Sequence, residues 1–212
     1  MKTRQIMKAA LAGAVALLAA CGDSTGSNTA TGAGSLSFTY SGARAGSYSA
    51  SGEFQQNTTS FVKQPFAVGV RSQQGGVSAI SIVSYLPVTS TTGHLVLLGI
   101  PEPAGTGSVD LSGNTCTDLC PIALIAYDTN PDLDEDASQL FGFVTGVVNI
   151  TSKSNGHLRG TFSGTAENFA GDSVITITNG QFDVPIRSES SLSLDRAVAR
   201  PTRMLERHAK PE

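Results

Sequence analysis

A chain of 212 residues with 14 Lys and Arg against 17 Asp and Glu carries a formal charge of −3, and lacks the basic excess that phosphate binding needs, which argues against nucleic acid as a partner. Only 15% of its residues are charged, there are 23 Gly and no Trp, and the abundance of Ser and Thr over helix formers leans toward β structure. A body of roughly residues 35–187 suits one domain with a real hydrophobic core.

Residues 1–8, "MKTRQIMK", hold Lys2, Arg4 and Lys8 and no acid. Residues 9–20, "AALAGAVALLAA", form an apolar run that ends in small residues. A basic segment, a short apolar one and small residues before a cut predict a secretory signal peptide over residues 1–20. The run is too short to span a bilayer, which takes about 20 apolar residues. Without residues 1–20, 11 basic residues face 17 acidic ones, a charge of −6.

The segment Leu18-Ala19-Ala20-Cys21 resembles the bacterial lipobox, in which an aliphatic and two small residues precede a Cys. The resemblance covers only the export segment. It implies that Cys21 carries a diacylglyceryl thioether, that cleavage falls before it, and that the membrane is a partner through acyl chains on Cys21. Two or more chains give a stable anchor where one does not. In such lipoproteins an Asp directly after the Cys retains the protein in the inner membrane. Here Gly22 follows, with Asp23 one residue later, so the resemblance implies the outer membrane.

Residues 21–34 continue from Cys21 into "GDSTGSNTATGAG", with no aliphatic side chain and no period, and predict a flexible tether of about 20 Å reach. From Ser35 the period becomes two. Leu36, Phe38 and Tyr40 share one face, and Tyr48, Ala50, Gly52 and Phe54 one face of the next run. Further strands are expected over Phe66–Ser72, Val77–Leu86, His94–Ile100, Ser108–Leu111, Pro121–Tyr127, Leu140–Thr151, Leu158–Ala166 and Val174–Ile186. Turn-rich breaks between them match an antiparallel β-sandwich, with a closed β-barrel as the alternative.

Two finer patterns bear on that fold. "GSYSASGEF" (46–54) and "GTFSGTAENF" (160–169) echo each other, and two strands meeting the same packing demand is the simpler reading. In "ITITNGQFDVPI", Asn179-Gly180 reads either as a two-residue hairpin turn, toward which the sequence leans, or as a bulge in a continuous strand. This stretch and "GHLRGTFSGTA" also resemble the C-terminal end of uncharacterised β-rich bacterial envelope lipoproteins. That likeness covers under a quarter of the chain and implies fold and location but no activity. Residues 188–212 break the pattern, with Arg196, Arg200, Arg203, Arg207 and Lys210 around Pro201, and predict a polar, disordered tail. The alternative for the tail is electrostatic contact with anionic envelope polymer or lipid headgroups.

Once Cys21 is acylated, Cys116 and Cys120 in "NTCTDLCP" remain. An even pair in an exported domain predicts a disulfide across a short irregular loop. Zinc would need two further ligands that no His or Cys cluster supplies. "DTNPDLDED" places Asp128, Asn130, Asp132 and Asp134 in the alternation of a Ca²⁺ loop, the weak metal candidates of this chain. Leu133 stands where such a loop needs Gly and Gln139 where it needs Glu, so a solvated acidic loop is the simpler reading. His94, His157 and His208 accompany no G-x-S-x-G elbow, and Ser60-Phe61-Val62-Lys63 lacks the companions of an S-x-x-K enzyme.

The expectation is therefore a lipid-anchored envelope protein with one antiparallel β-sandwich domain. It needs no cofactor and has no catalytic residues. Its role is structural or binding, with an envelope glycan or protein as the partner. A module for a small ligand or glycan is the alternative, and a hydrolase is a more distant one.

Overall fold

The computed structural model describes residues 32–54, 64–74, 77–89, 92–111, 122–129 and 140–188. Every regular element among them is a strand: β1 (Gly34–Gly42), β2 (Gly46–Gly52), β3 (Phe66–Gln74), β4 (Val77–Pro87), β5 (Gly93–Pro101), β6 (Gly107–Asp110), β7 (Ile122–Thr129), β8 (Leu140–Ser154), β9 (His157–Asn168) and β10 (Val174–Ser188). The described residues are all-β, and the expected strands differ from the observed ones at their ends and at 179–180. The signal segment, all of the tether before Gly32, and the tail after Ser188 lie outside the described residues.

The pairings fall into two antiparallel runs. One is β2-β1-β10-β9-β8-β6, the other β3-β4-β5-β7. Two short ladders join them. Gly69–Arg71 of β3 pair in parallel with Ile186–Ser188 at the end of β10, and Leu124–Ala126 of β7 pair with Leu140–Gly142 at the start of β8. β2 and β6, each paired on one side, are the free edges of the sheet among the described residues.

Alternation explains the first run. Leu36 and Phe38 of β1, Tyr48 and Ala50 of β2, Leu158 and Phe162 of β9, and Ile175 and Ile177 of β10 are buried, while the residues between them meet solvent. The second run is different. Ala79 to Tyr85 of β4 and Leu95 to Leu98 of β5 are buried without a break, as continuous apolar runs such as "LVLL" demand. Ile80, Ile82, Val96, Leu98 and Ile125 join Leu36, Phe38, Phe162, Ile177 and Val184 in one core, and each such side chain contributes about 1.5–3 kcal/mol by leaving water.

Asn155-Gly156 and Asn179-Gly180 part company in the structure. The first is a two-residue hairpin loop between β8 and β9, with φ of 52° and 75° and Ser154 paired with His157. The second lies inside β10, which runs straight through it. The register of β10 slips there against both neighbours, between Ile177 and Gly180 on the β9 side and between Ser37 and Thr39 on the β1 side. The hairpin toward which the sequence leans at 179–180 is thus corrected to a bulge. Asn179 takes the left-handed conformation at φ 55°, as short polar side chains tolerate. The extra residue moves the inward set from Ile175 and Ile177 to Phe182 and Val184. Gly180 fits because a Cβ there would meet the Phe162 carbonyl oxygen and ring.

Candidate functional site

Among the described residues, the solvent side of the first run carries a broad arrangement that could meet a ligand. Because residues opposite each other in a ladder share a face, the registers line up into rows. Ser49, Ser37, Gln181, Thr161, Asn149 and Ser108 form one row across all six strands of the run. None of the six is buried and none is charged. Ser41, Thr176, Thr165 and Thr145 form a second row, and Ser47, Thr39 and Thr178 a third. The rungs bond to one another: Thr39 Oγ1 lies 2.9 Å from Thr178 Oγ1, and Ser108 Oγ donates to Asn149 Oδ1 at 2.6 Å. Hydroxyls and amides at strand spacing can both donate and accept, and short side chains lose little conformational freedom when held.

A fourth row, Ser51, Ser35, Asp183, Arg159 and Ser152, sets Asp183 and Arg159 side by side. Asp183 accepts from His157 Nδ1 at 2.7 Å through one oxygen and from Arg159 Nε at 2.7 Å through the other. Burial alone would raise the Asp183 carboxyl, but the hydrogen bonds and charges of Arg159 and His157 outweigh it and hold the group below the ordinary carboxylate range. An imidazole oriented by a carboxylate is half of a nucleophilic triad. The other half is missing among the described residues: the space by Nε2 is that of Gly32, where a Cβ would stand 4.0 Å away. The group lies open on a strand face, with the Asp183 side chain 40% exposed, and not in a cleft.

A second ionic group closes one end of the fold. Glu102, just after β5, takes Arg71 of β3 and Lys153 of β8 on the same oxygen, with Arg71 Nη2 and Lys153 Nζ each at 2.8 Å. Lys153 also donates to the Pro103 carbonyl at 2.8 Å. Desolvation pushes the Glu102 carboxyl up, and the two cations more than offset it, so the group sits below its usual range. The cluster ties a strand of one run to a strand of the other, which is a structural role.

Of the residues singled out in the sequence, Cys21, Cys116, Cys120, Asn130, Asp132 and Asp134 lie outside the described residues, as do Ser60, Lys63 and His208. Asp128 falls in β7. His94 stands at the start of β5 opposite Leu86, far along the sheet from His157 at the start of β9. Among the described residues no three His, Cys, Asp or Glu side chains form a metal-holding group, and no helix is long and apolar enough to cross a membrane. Sequence reasoning missed the Asp183 and Glu102 clusters because each joins residues far apart in the chain. The rows of hydroxyls had a local signal, the Ser and Thr alternating with Leu, Phe and Ile, though not their registration.

The chain matches no protein-family profile, no curated protein and no solved structure.

Proposed function

We propose that the protein is a lipid-anchored component of the cell envelope, exported by residues 1–20, acylated on Cys21 and delivered to the outer membrane, whose β domain binds or supports and does not catalyse. The observation that carries this reading is Leu18-Ala19-Ala20-Cys21 at the end of a basic-then-apolar leader. With Cys21 withdrawn, Cys116 and Cys120 form a disulfide in an oxidising compartment. The two runs of strands face each other as a β-sandwich, in keeping with the Tyr48–Ser84 hydrogen bond between β2 and β4. The test is metabolic labelling of the full chain with a radioactive fatty acid. Label should enter the wild type and be lost from Cys21→Ser, and label retained by that variant would sink the reading.

A second reading has its own support. The uncharged row from Ser49 to Ser108 favours an uncharged, polyhydroxylated partner such as a neutral envelope glycan, bound by hydrogen bonds along the row. Retardation of the protein in gels containing neutral polysaccharide should occur and should vanish in Thr161→Glu with Gln181→Glu. Equal mobility of both proteins in every gel would remove this reading and leave the anchor untouched.

A further inference from the structure

We propose that β2 is a docking edge for a second copy of this chain, and that two β2 strands pair antiparallel about a two-fold axis through Ser49. The inference is independent of the lipid anchor and of any glycan.

The two free edges of the sheet are unlike. β6 is four residues long and ends in Asp110, so shortness and charge blunt it, which are common ways of keeping an edge from recruiting a strand. β2 has neither device. Its seven residues, Gly-Ser-Tyr-Ser-Ala-Ser-Gly, include no charge and no Pro. Its register with β1 runs unbroken from Gly34↔Gly52 to Tyr40↔Gly46, so no bulge turns the edge aside. Among the described residues its only strand neighbour is β1.

The sequence of β2 selects its occupant, because it reads nearly the same in both directions. In an antiparallel pair centred on Ser49, that residue meets its own copy. Ser47 then stands opposite the partner subunit's Ser51, Tyr48 opposite the partner subunit's Ala50, and Gly46 opposite the partner subunit's Gly52. Tyr48 and Ala50 are 2% and 1% exposed, while Ser47, Ser49 and Ser51 are exposed. Opposed residues share a face, so this register keeps both buried residues of each copy on the core side, a ring against a methyl group. A slip by one residue would turn the faces over. A slip by two would set Tyr48 against the partner's Tyr48 or leave both ends unpaired. A closed two-fold contact of this kind needs only one self-complementary patch. Main-chain hydrogen bonds supply its affinity, as in other strand additions.

The register gives a test. In the full-length chain, Ser49→Cys should form an intermolecular disulfide in high yield, since directly opposed strand residues stand about 4.5–5.5 Å apart between Cα atoms. Ser47→Cys or Ser51→Cys alone should cross-link poorly, and a mixture of the two should cross-link well. Charge supplies a second arm. Lys at 47, 49 and 51 together, or Glu at all three, should make the chain monomeric in light scattering, and an equimolar mixture of the two variants should restore the dimer. Wild-type chain that remains monomeric at about 100 μM, far above the range of specific interfaces, overturns the proposal. So do three single-Cys variants that cross-link alike, or Lys and Glu variants that dimerise as the wild type does.

Discussion

Tyr48, on the edge strand β2, donates a 2.9 Å hydrogen bond to Ser84 Oγ on β4, and Ser84 in turn donates to the Phe66 carbonyl at 3.0 Å. The direction follows from the chain: a hydroxyl has one proton, and Ser84 commits its own to Phe66. Ser84 is fully buried, and burial drives the Tyr48 phenol far above its ordinary range, only partly opposed by Ser84, so Tyr48 is neutral and a donor at any working pH. Tyr48→Phe keeps the stacking on Phe38, whose ring centre is 5.1 Å away, and removes only the donor. It should cost about 0.5–1.5 kcal/mol, read as a lower urea midpoint at unchanged slope. Tyr48→Ala, which also empties the space, should cost about 3–5 kcal/mol. Equal midpoints for wild type and Tyr48→Phe would show that the buried bond contributes nothing.

The bulge in β10 predicts a sharp ordering of variants. Asn179 is left-handed at φ 55°, so Asn179→Gly should change stability by a few tenths of a kcal/mol at most. Asn179→Val, β-branched in that conformation, should lose about 1–3 kcal/mol. Gly180→Ala should be worse than Asn179→Gly because its Cβ would meet the Phe162 backbone and ring. Thermal denaturation of the three variants checks the order. In a two-residue hairpin the Gly180 variant would instead lose only what a positive φ costs an Ala, with its Cβ in solvent.

The two Asn-Gly pairs show how much of this fold the sequence could carry. At 155–156 and 179–180 the dipeptide is identical, and local turn chemistry treats both alike. What separates them is the chain on either side. Beyond Gly156 the apolar residues of β9 fold back onto β8, whereas beyond Gly180, Phe182 and Val184 must enter the same core as Ile175 and Ile177, between β1 and β9. Only a neighbour on both flanks makes the slip worthwhile, and one of them, β1, lies 130 or more positions away in the chain and is not written locally. The echo between β2 and β9 has the same explanation: Tyr48 and Phe162 both pack on the Phe38 ring, at 5.1 and 5.7 Å, so two strands answer one demand. Strand positions and the inward face of the first run were legible from period two. Registration of the hydroxyl rows, and the meeting of Glu102 with Arg71 and Lys153, depended on tertiary pairing.

Asn168 holds the β9–β10 connection almost alone. It is 1% exposed, its Oδ1 accepts from the backbone N–H groups of Gly171, Asp172 and Ser173 at 3.0–3.1 Å, and its Nδ2 donates to Asp172 at 2.8 Å. Asn168→Ala leaves the Asp172 and Ser173 amides without their acceptor, while Gly171 keeps the Asn168 backbone carbonyl at 2.9 Å, and should cost about 1–3 kcal/mol. Hydrogen exchange of the Gly171–Ser173 amides should accelerate in the variant well before the amides of β9 and β10 do. Uniform acceleration would mean that the loop and the sheet open together.

Acid should unfold the domain through two known carboxylates. Glu102 and Asp183 both titrate lower in the folded chain than in the unfolded one, because Arg71 and Lys153 on the first, and Arg159 and His157 on the second, outweigh the cost of burial. The unfolded state therefore binds more protons through the carboxylate range, and stability rises with pH there. The contribution is complete above the ordinary carboxylate values near pH 4 and disappears as the pH falls through the lower folded values. Asp183 is well exposed and screened, so most of the effect belongs to Glu102, whose side chain is 16% exposed. Urea midpoints measured between about pH 6 and about pH 3 should fall steeply for the wild type and less steeply for Glu102→Gln, with Glu102→Gln/Asp183→Asn shallower still. Glu102→Gln should also be the less stable protein at neutral pH, since Arg71 and Lys153 then face each other without a counter-charge. Parallel acid limbs in all three proteins would place the acid sensitivity on other carboxylates and reduce the Glu102 cluster to a contact without linkage.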